Sequence, residues 1–87
     1  MAPATSPRVA AAFSGERDAA LALRLASSAI EDSVDFVLRR VFNDRGEVEL
    51  VIIEAGCERQ DVCDRVMTVM TGAHGVPIPV EFASGAA

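Results

Sequence analysis

Between Val34 and Glu54, two alternating apolar runs flank Asn43-Asp44-Arg45-Gly46. Alternation of that length reads as strand. Asn-Asp-Arg-Gly suits a type I turn with glycine in the left-handed position. A β-hairpin therefore sits in the middle of the chain. A helical pattern lies on each side of it, and a further strand pattern lies beyond each helix. That order restricts the fold more than any other feature.

The first strand is expected at Arg8 to Phe13, with Val9, Ala11 and Phe13 on one face. Ser14 then precedes Glu16 and Asp18, an N-cap followed by acidic residues in the positive first turn of a helix. This helix should run to about Ser33. Leu21, Leu25 and Ala29 form one row, and Ala22, Leu23, Ala26 and Ile30 widen it into an apolar stripe. The second strand spans Val34 to Phe42 and the third Glu47 to Glu54, with Gly56 ending it. A second helix follows from about Glu58 to Gly72, with Val62, Cys63, Val66, Met67, Val69 and Met70 on its apolar side. Gly72 or Gly75 should stop it.

The last strand is expected at Val76 to Ala83. Pro77 and Pro79 stand two apart, so both remove a donor from the same side, which places this strand at a sheet edge. The order β-α-β-β-α-β then predicts an α+β, ferredoxin-like sandwich. Its antiparallel four-stranded sheet should have the order 4-1-3-2, with two helices on one face. Residues 7–83 form the expected single domain, and residues 1–6 and 84–87 the expected flexible tails.

The hairpin alternation assigns faces. Val48, Leu50 and Ile52 are expected to point into the core with Leu21, Leu25, Ile30, Phe36, Val66, Met70, Ile78 and Val80. Val51 and Ile53 then fall on the open face beside Val37 and Val41, rimmed by Asp35, Arg39 and Glu49. Clustered β-branched residues on a face without helices predict a docking surface. The expected partner-binding residues are Val37, Val41, Val51, Ile53, Arg39 and Glu49.

Composition narrows the chemistry. The net charge of −5 opposes nucleic acid and anionic membrane surfaces as partners. All eight basic residues are arginine, so every mechanism that needs a lysine amine is excluded. RNA recognition on a sheet of this topology needs exposed aromatics. This chain has no Tyr or Trp, and Phe13, Phe36, Phe42 and Phe82 are expected to be mainly internal. No apolar run approaches the ~20 residues of a membrane span. Met-Ala-Pro-Ala-Thr-Ser-Pro lacks the order of a signal peptide, so a cytoplasmic location is expected.

Cys57 and Cys63 are the two cysteines. Their spacing matches no usual zinc motif, and in a reducing compartment they are expected as structural thiols. A disulfide and a metal or redox role are the alternatives. His74 lies in a loop with no assignable nucleophile or orienting group, so a surface role is expected. Glu31, Asp32 and Asp35 read as a solvated helix end. No cofactor, metal or catalytic residue is expected.

The run Ala29-Ile30-Glu31-Asp32-Ser33-Val34, then Asp35-Phe36-Val37-Leu38, then Glu47-Val48-Glu49-Leu50 resembles the C-terminal subdomain of phenylacetate–CoA ligase-type adenylate-forming enzymes. In that family a helix containing Ile-Glu precedes two paired strands, a helix and a last strand similar to Ile78-Pro79-Val80-Glu81-Phe82. The resemblance covers about residues 24–83. It implies a small subdomain that swings over a larger one and brings in a lysine for adenylate formation. With no lysine in this chain, no catalytic residue carries over. The expectation is a free-standing relative that keeps the fold without the chemistry.

Three functional classes follow. The first is a non-catalytic interaction or regulatory module that docks a protein partner or forms a homodimer through its open sheet face. The second is an ACT-like sensor that binds a small molecule. The third is a small dimeric α+β-barrel enzyme with His74 or a carboxylate in a cleft.

Overall fold

A computed structural model describes residues 6–83, so the expected tail at 84–87 and all but Ser6 of the expected tail at 1–6 lie outside the described residues. The elements run β1 (Arg8–Phe13), α1 (Glu16–Ala29), β2 (Val34–Phe42), β3 (Val48–Cys57), α2 (Gln60–Gly72), β4 (Val76–Ile78) and α3 (Val80–Ala83). The strands form one antiparallel sheet in the order β2-β3-β1-β4. The fold is thus the α+β, ferredoxin-like arrangement, with α1 and α2 on one face.

Asparagine and glycine build the hairpin turn. The Asn43 side-chain oxygen accepts from the backbone N–H groups of Arg45 at 2.9 Å and Glu47 at 3.0 Å. Gly46 takes φ of +79°, where a side chain would be strained. The Asn43 N–H closes the loop on the Glu47 carbonyl at 2.8 Å.

The core lies between the sheet and the two long helices. Phe13, Val51, Ile53, Val62, Cys63, Val66 and Met70 are its largest fully buried side chains. On α1 the buried row is Ala19, Ala22 and Ala26, with Leu23 packed beside it. The leucine row expected there is displaced: Leu21 is half-buried and Leu25 is 43% exposed. Alanine lets a helix axis approach its neighbours closely, so the small residues mark the contact and the larger ones are turned away.

The expected faces of β3 are reversed. Val51 and Ile53 point beneath the helices, at 1% and 0% exposure, and do not belong to the open face. Leu50 lies on the open side at 37% exposure, and Ile52 is buried there in a separate cluster with Ala10. A bulge causes the reversal. Val41 pairs with Leu50, but the next rung joins Phe42 to Val48, so the alternation changes phase at Glu49. Val48 accordingly packs on the helix side. Phe42, expected inside, is exposed.

Three boundaries also differ. β3 continues through Gly56 to Cys57 instead of ending at Gly56. Gly56 faces Arg8 across the ladder, and a Cβ there would lie 2.8 Å from the Arg8 guanidinium. The last strand stops at Ile78, because Pro79 interrupts it and Val80 begins α3. That short turn carries Val80 onto the face opposite the long helices, against Ala10 and Ile52. Finally, α1 ends at Ala29 and not near Ser33.

The cysteines form a Cys57–Cys63 disulfide, replacing the expected pair of free thiols. Their Cα atoms are 5.6 Å apart, which suits the bond. The end of β3 and the first turns of α2 bring them together across a tight connection. Among the described residues, no helix is long and apolar enough to cross a membrane.

Candidate interaction surface

Directly paired residues of an antiparallel ladder share a face, so the register defines the open side of the sheet. From the β2 edge inwards it carries Asp35, Val37, Arg39 and Val41, then Leu50, Ile52, Glu54 and Gly56 of β3. Arg8, Ala10 and Ala12 of β1 follow, then Ile78 and Val76 of β4. Of the six residues expected to bind a partner, Val37, Arg39 and Val41 share this face. Glu49 is exposed at the bulge, and Val51 and Ile53 lie in the core.

The face has two unequal halves. Ile78 and Val80 pack on Ala10 and Ile52, so the β1 side is roofed by the chain itself. The β2 side is bare. Val37 is 52% exposed, Leu50 lies next to half-buried Val41, and Asp35, Arg39 and Glu49 supply charge around them. Apolar side chains held by a rigid ladder are ready to bury area without first becoming ordered.

Glu54 sits between the halves, opposite Val37 on one side and Ala10 on the other. It is the one charged side chain among the buried described residues, and Arg8 Nε donates to its carboxylate at 2.5 Å. Burial of a carboxylate is tolerated here because a guanidinium meets it. The missing side chain of Gly56 leaves space for that guanidinium to lie across the sheet.

Leu50, Ile52, Glu54 and the Arg8 partner were not assigned to this face from sequence. One signal pointed to them. Glu54, Ile52 and Leu50 share a phase, whereas Val51, Ile53, Ala55 and Cys57 form an unbroken small or apolar phase. Counting backwards from Glu54 gives the observed faces. Counting forwards from Val48 passes through the bulge and gives the opposite ones.

The other candidate groups sit apart from the face. His74 is exposed at the end of α2 with φ of 72°. Its N–H reaches the Thr71 carbonyl, while the Gly75 N–H reaches Met70 at 2.8 Å. These two bonds make a Schellman cap with His74 in the left-handed position, so its backbone terminates a helix. Asp32 accepts from Arg65 at 2.8 Å and lies 3.9 Å from Arg59, which ties the carboxylate-rich helix end to α2. Among the described residues, no three His, Cys, Asp or Glu side chains gather where they could hold a metal.

A cleft of about 200 Å³ beside Arg8, Ser33, Asp35 and Glu58 ends the open face. It falls below the ~300–1,000 Å³ of ordinary small-molecule sites. Comparison with protein-family models, with curated proteins and with solved structures returns no match.

Proposed function

We propose that this protein is a non-catalytic interaction module that docks a protein partner through the β2 side of its open sheet face. Val37, Val41 and Leu50 form the apolar centre of the contact, with Asp35, Arg39 and Glu49 around it. One observation carries this reading. Apolar side chains stand on a rigid sheet where the chain's own Val80 roof does not reach, while every long helix is already packed on the other side. A partner would present an apolar surface with charges of both signs at its rim. The sequence resemblance to the small subdomain of adenylate-forming ligases accords with a module that moves against or docks on a larger protein. The absence of lysine removes that family's chemistry from this chain.

A cytoplasmic location belongs to the same reading. In a reducing compartment the Cys57–Cys63 pair would sit largely as thiols. The 5.6 Å Cα separation would let them close on oxidation without moving the backbone far.

A photocross-linking residue at Leu50, which does not lie on a sheet edge, tests the contact. The captured protein is then purified and titrated against the wild-type chain and against Leu50→Glu. Loss of binding in Leu50→Glu, with an unchanged melting temperature, supports the face. Equal cross-linking from Leu25 on the outer side of α1, or binding that survives Leu50→Glu, overturns it. The small-molecule sensor is the second reading, in which the polar cleft beside Arg8 and Asp35 takes a ligand smaller than those of ordinary pockets. A ligand-dependent rise in melting temperature, abolished by Asp35→Ala, would select it.

A further inference from the structure

The sheet has two edges, and they are built differently. β4 is three residues long, contains Pro77 and is followed by Pro79. Short, proline-bearing edges do not accept another strand well. β2 has nine residues and no proline, and no described strand pairs with its outer side. Its Asp35-Phe36-Val37-Leu38-Arg39 segment is symmetric about Val37. Apolar residues flank the centre, and charges of opposite sign stand two positions away on each side.

That symmetry matters for one geometry. When a strand pairs antiparallel with a copy of itself, a two-fold axis passes through one residue. Residues equally far before and after it then become direct partners. With the axis at Val37, Asp35 meets Arg39 of the second copy twice, Phe36 meets Leu38 twice, and Val37 meets Val37. The charge pairs and the valine pair fall on the open face. The Phe36–Leu38 pairs fall on the helix side, where both residues are only partly buried by their own core. Opposite charges and apolar pairs placed directly across strands stabilise a ladder, and like charges oppose it.

Neighbouring registers are worse. An axis at Phe36 puts Asp35 against Val37. An axis at Leu38 puts Phe36 against Arg40 and Val37 against Arg39. An axis between two residues would pair side chains from opposite faces, which the pleat forbids. The bulge, whose extra residue Glu49 belongs to β3, falls opposite Val41/Phe42 and so lies beyond this segment of β2. Arg39 is already engaged within its own chain, and the pairing requires only its charge at that position in the register.

We infer that the outer edge of β2 pairs antiparallel with β2 of a second copy of this chain, centred on Val37, so that two sheets join into one. The contact is separate from the open-face docking and would set two bare half-faces side by side.

Charge exchange tests it in the full chain by sedimentation, with melting curves to verify folding. The wild type should dimerise at or below about 100 micromolar, and Asp35→Arg or Arg39→Asp alone should weaken the dimer by about tenfold or more. Each single change sets like charges opposite each other twice. The double variant D35R/R39D should dimerise as the wild type does, and an equimolar mixture of the two single variants should form the mixed dimer. Val37→Cys should oxidise to a covalent dimer, whereas Val34→Cys should not. Leu50→Glu, which disturbs the face, should leave the dimer intact. A wild type that is monomeric at that concentration, single variants that dimerise normally, or a double variant that fails to recover would each overturn the inference.

Discussion

Val41 lies directly opposite Leu50, and the next rung joins Phe42 to Val48, leaving Glu49 outside the ladder. This one extra residue exchanges the two sides of β3. It sends Val51 and Ile53 under the helices and turns Leu50 outward. The energetic consequence can be measured. Ile53→Ala should cost about 2–5 kcal/mol, the range for emptying a filled core site. Leu50→Ala should cost no more than about 1 kcal/mol, as expected of a partly exposed side chain. Urea unfolding of both variants decides the matter, and a larger loss for Leu50→Ala would restore the unbulged alternation.

His74 supplies a second test, because a non-glycine residue in the left-handed region pays a steric penalty of ~1 kcal/mol. His74→Gly should therefore stabilise the protein by roughly that amount, less a few tenths for added freedom of the unfolded chain. Gly75→Ala should do the opposite. Its backbone is not the obstacle; a Cβ would lie 2.7 Å from the Met70 carbonyl oxygen and 2.8 Å from the Phe13 ring. Thermal melts of the two variants should move in opposite directions.

Much of the architecture was legible because it rests on local chemistry. Asn43 and Gly46 specify the hairpin, the prolines keep β4 at an edge, and alternation places β1 and β2 correctly. The α2 stripe was legible for the same reason, since Val62, Cys63, Val66 and Met70 all repeat at helical spacing. The errors arose where local pattern and tertiary packing differ. On α1 the leucines looked like the core row, but the sheet selects the side that approaches closest, and that side is alanine. On β3 a bulge shifts the phase without any glycine to announce it. Beyond Pro79, a run that looked like strand curls over the sheet, and its Val80 joins Ala12, Val41 and Ile78 in covering Ala10 and Ile52. The candidate surface inherited those errors at Val51 and Ile53 and escaped them at Val37 and Val41, where β2 is regular.

Acid should weaken the protein through Glu16. This carboxylate, at the start of α1, accepts from Arg40 of β2, and that hydrogen bond holds it below the usual carboxylate range. Its stabilisation is fully present above the unfolded value of about 4.5 and is lost as pH falls through the lowered folded value. Asp61 is also lowered, first by its hydrogen bond with Arg59. The two are only two residues apart, so much of that contact persists in the unfolded chain and cancels. Glu16→Gln should therefore flatten the fall of the urea midpoint between about pH 5 and pH 3 more than Asp61→Asn does. Salt should shrink the difference, since both pairs are exposed. An unchanged acid profile in Glu16→Gln would remove this pair as its source.

The Cys57–Cys63 bond closes a sequence separation of six, a short loop, so the stabilisation expected from restricting the unfolded chain is about 2 kcal/mol. In a domain of this size, opening the bond should lower the melting temperature by roughly 10 °C. Cys63 is fully buried and Cys57 nearly so, behind the start of α2 and the end of β3. A reductant therefore reaches the sulfurs only after that corner opens. Reduction of the native protein should be slow, and it should accelerate in sub-denaturing urea well before global unfolding. Thiol alkylation read by mass spectrometry follows this directly, because each opened bond adds two labels. Rapid labelling of freshly purified protein in the absence of reductant would show that the cysteines are free thiols. A melting temperature that does not move on reduction would show that the bond contributes nothing to the fold. Slow labelling with a lowered melting point would establish it as a buried crosslink that pins α2 to the end of β3.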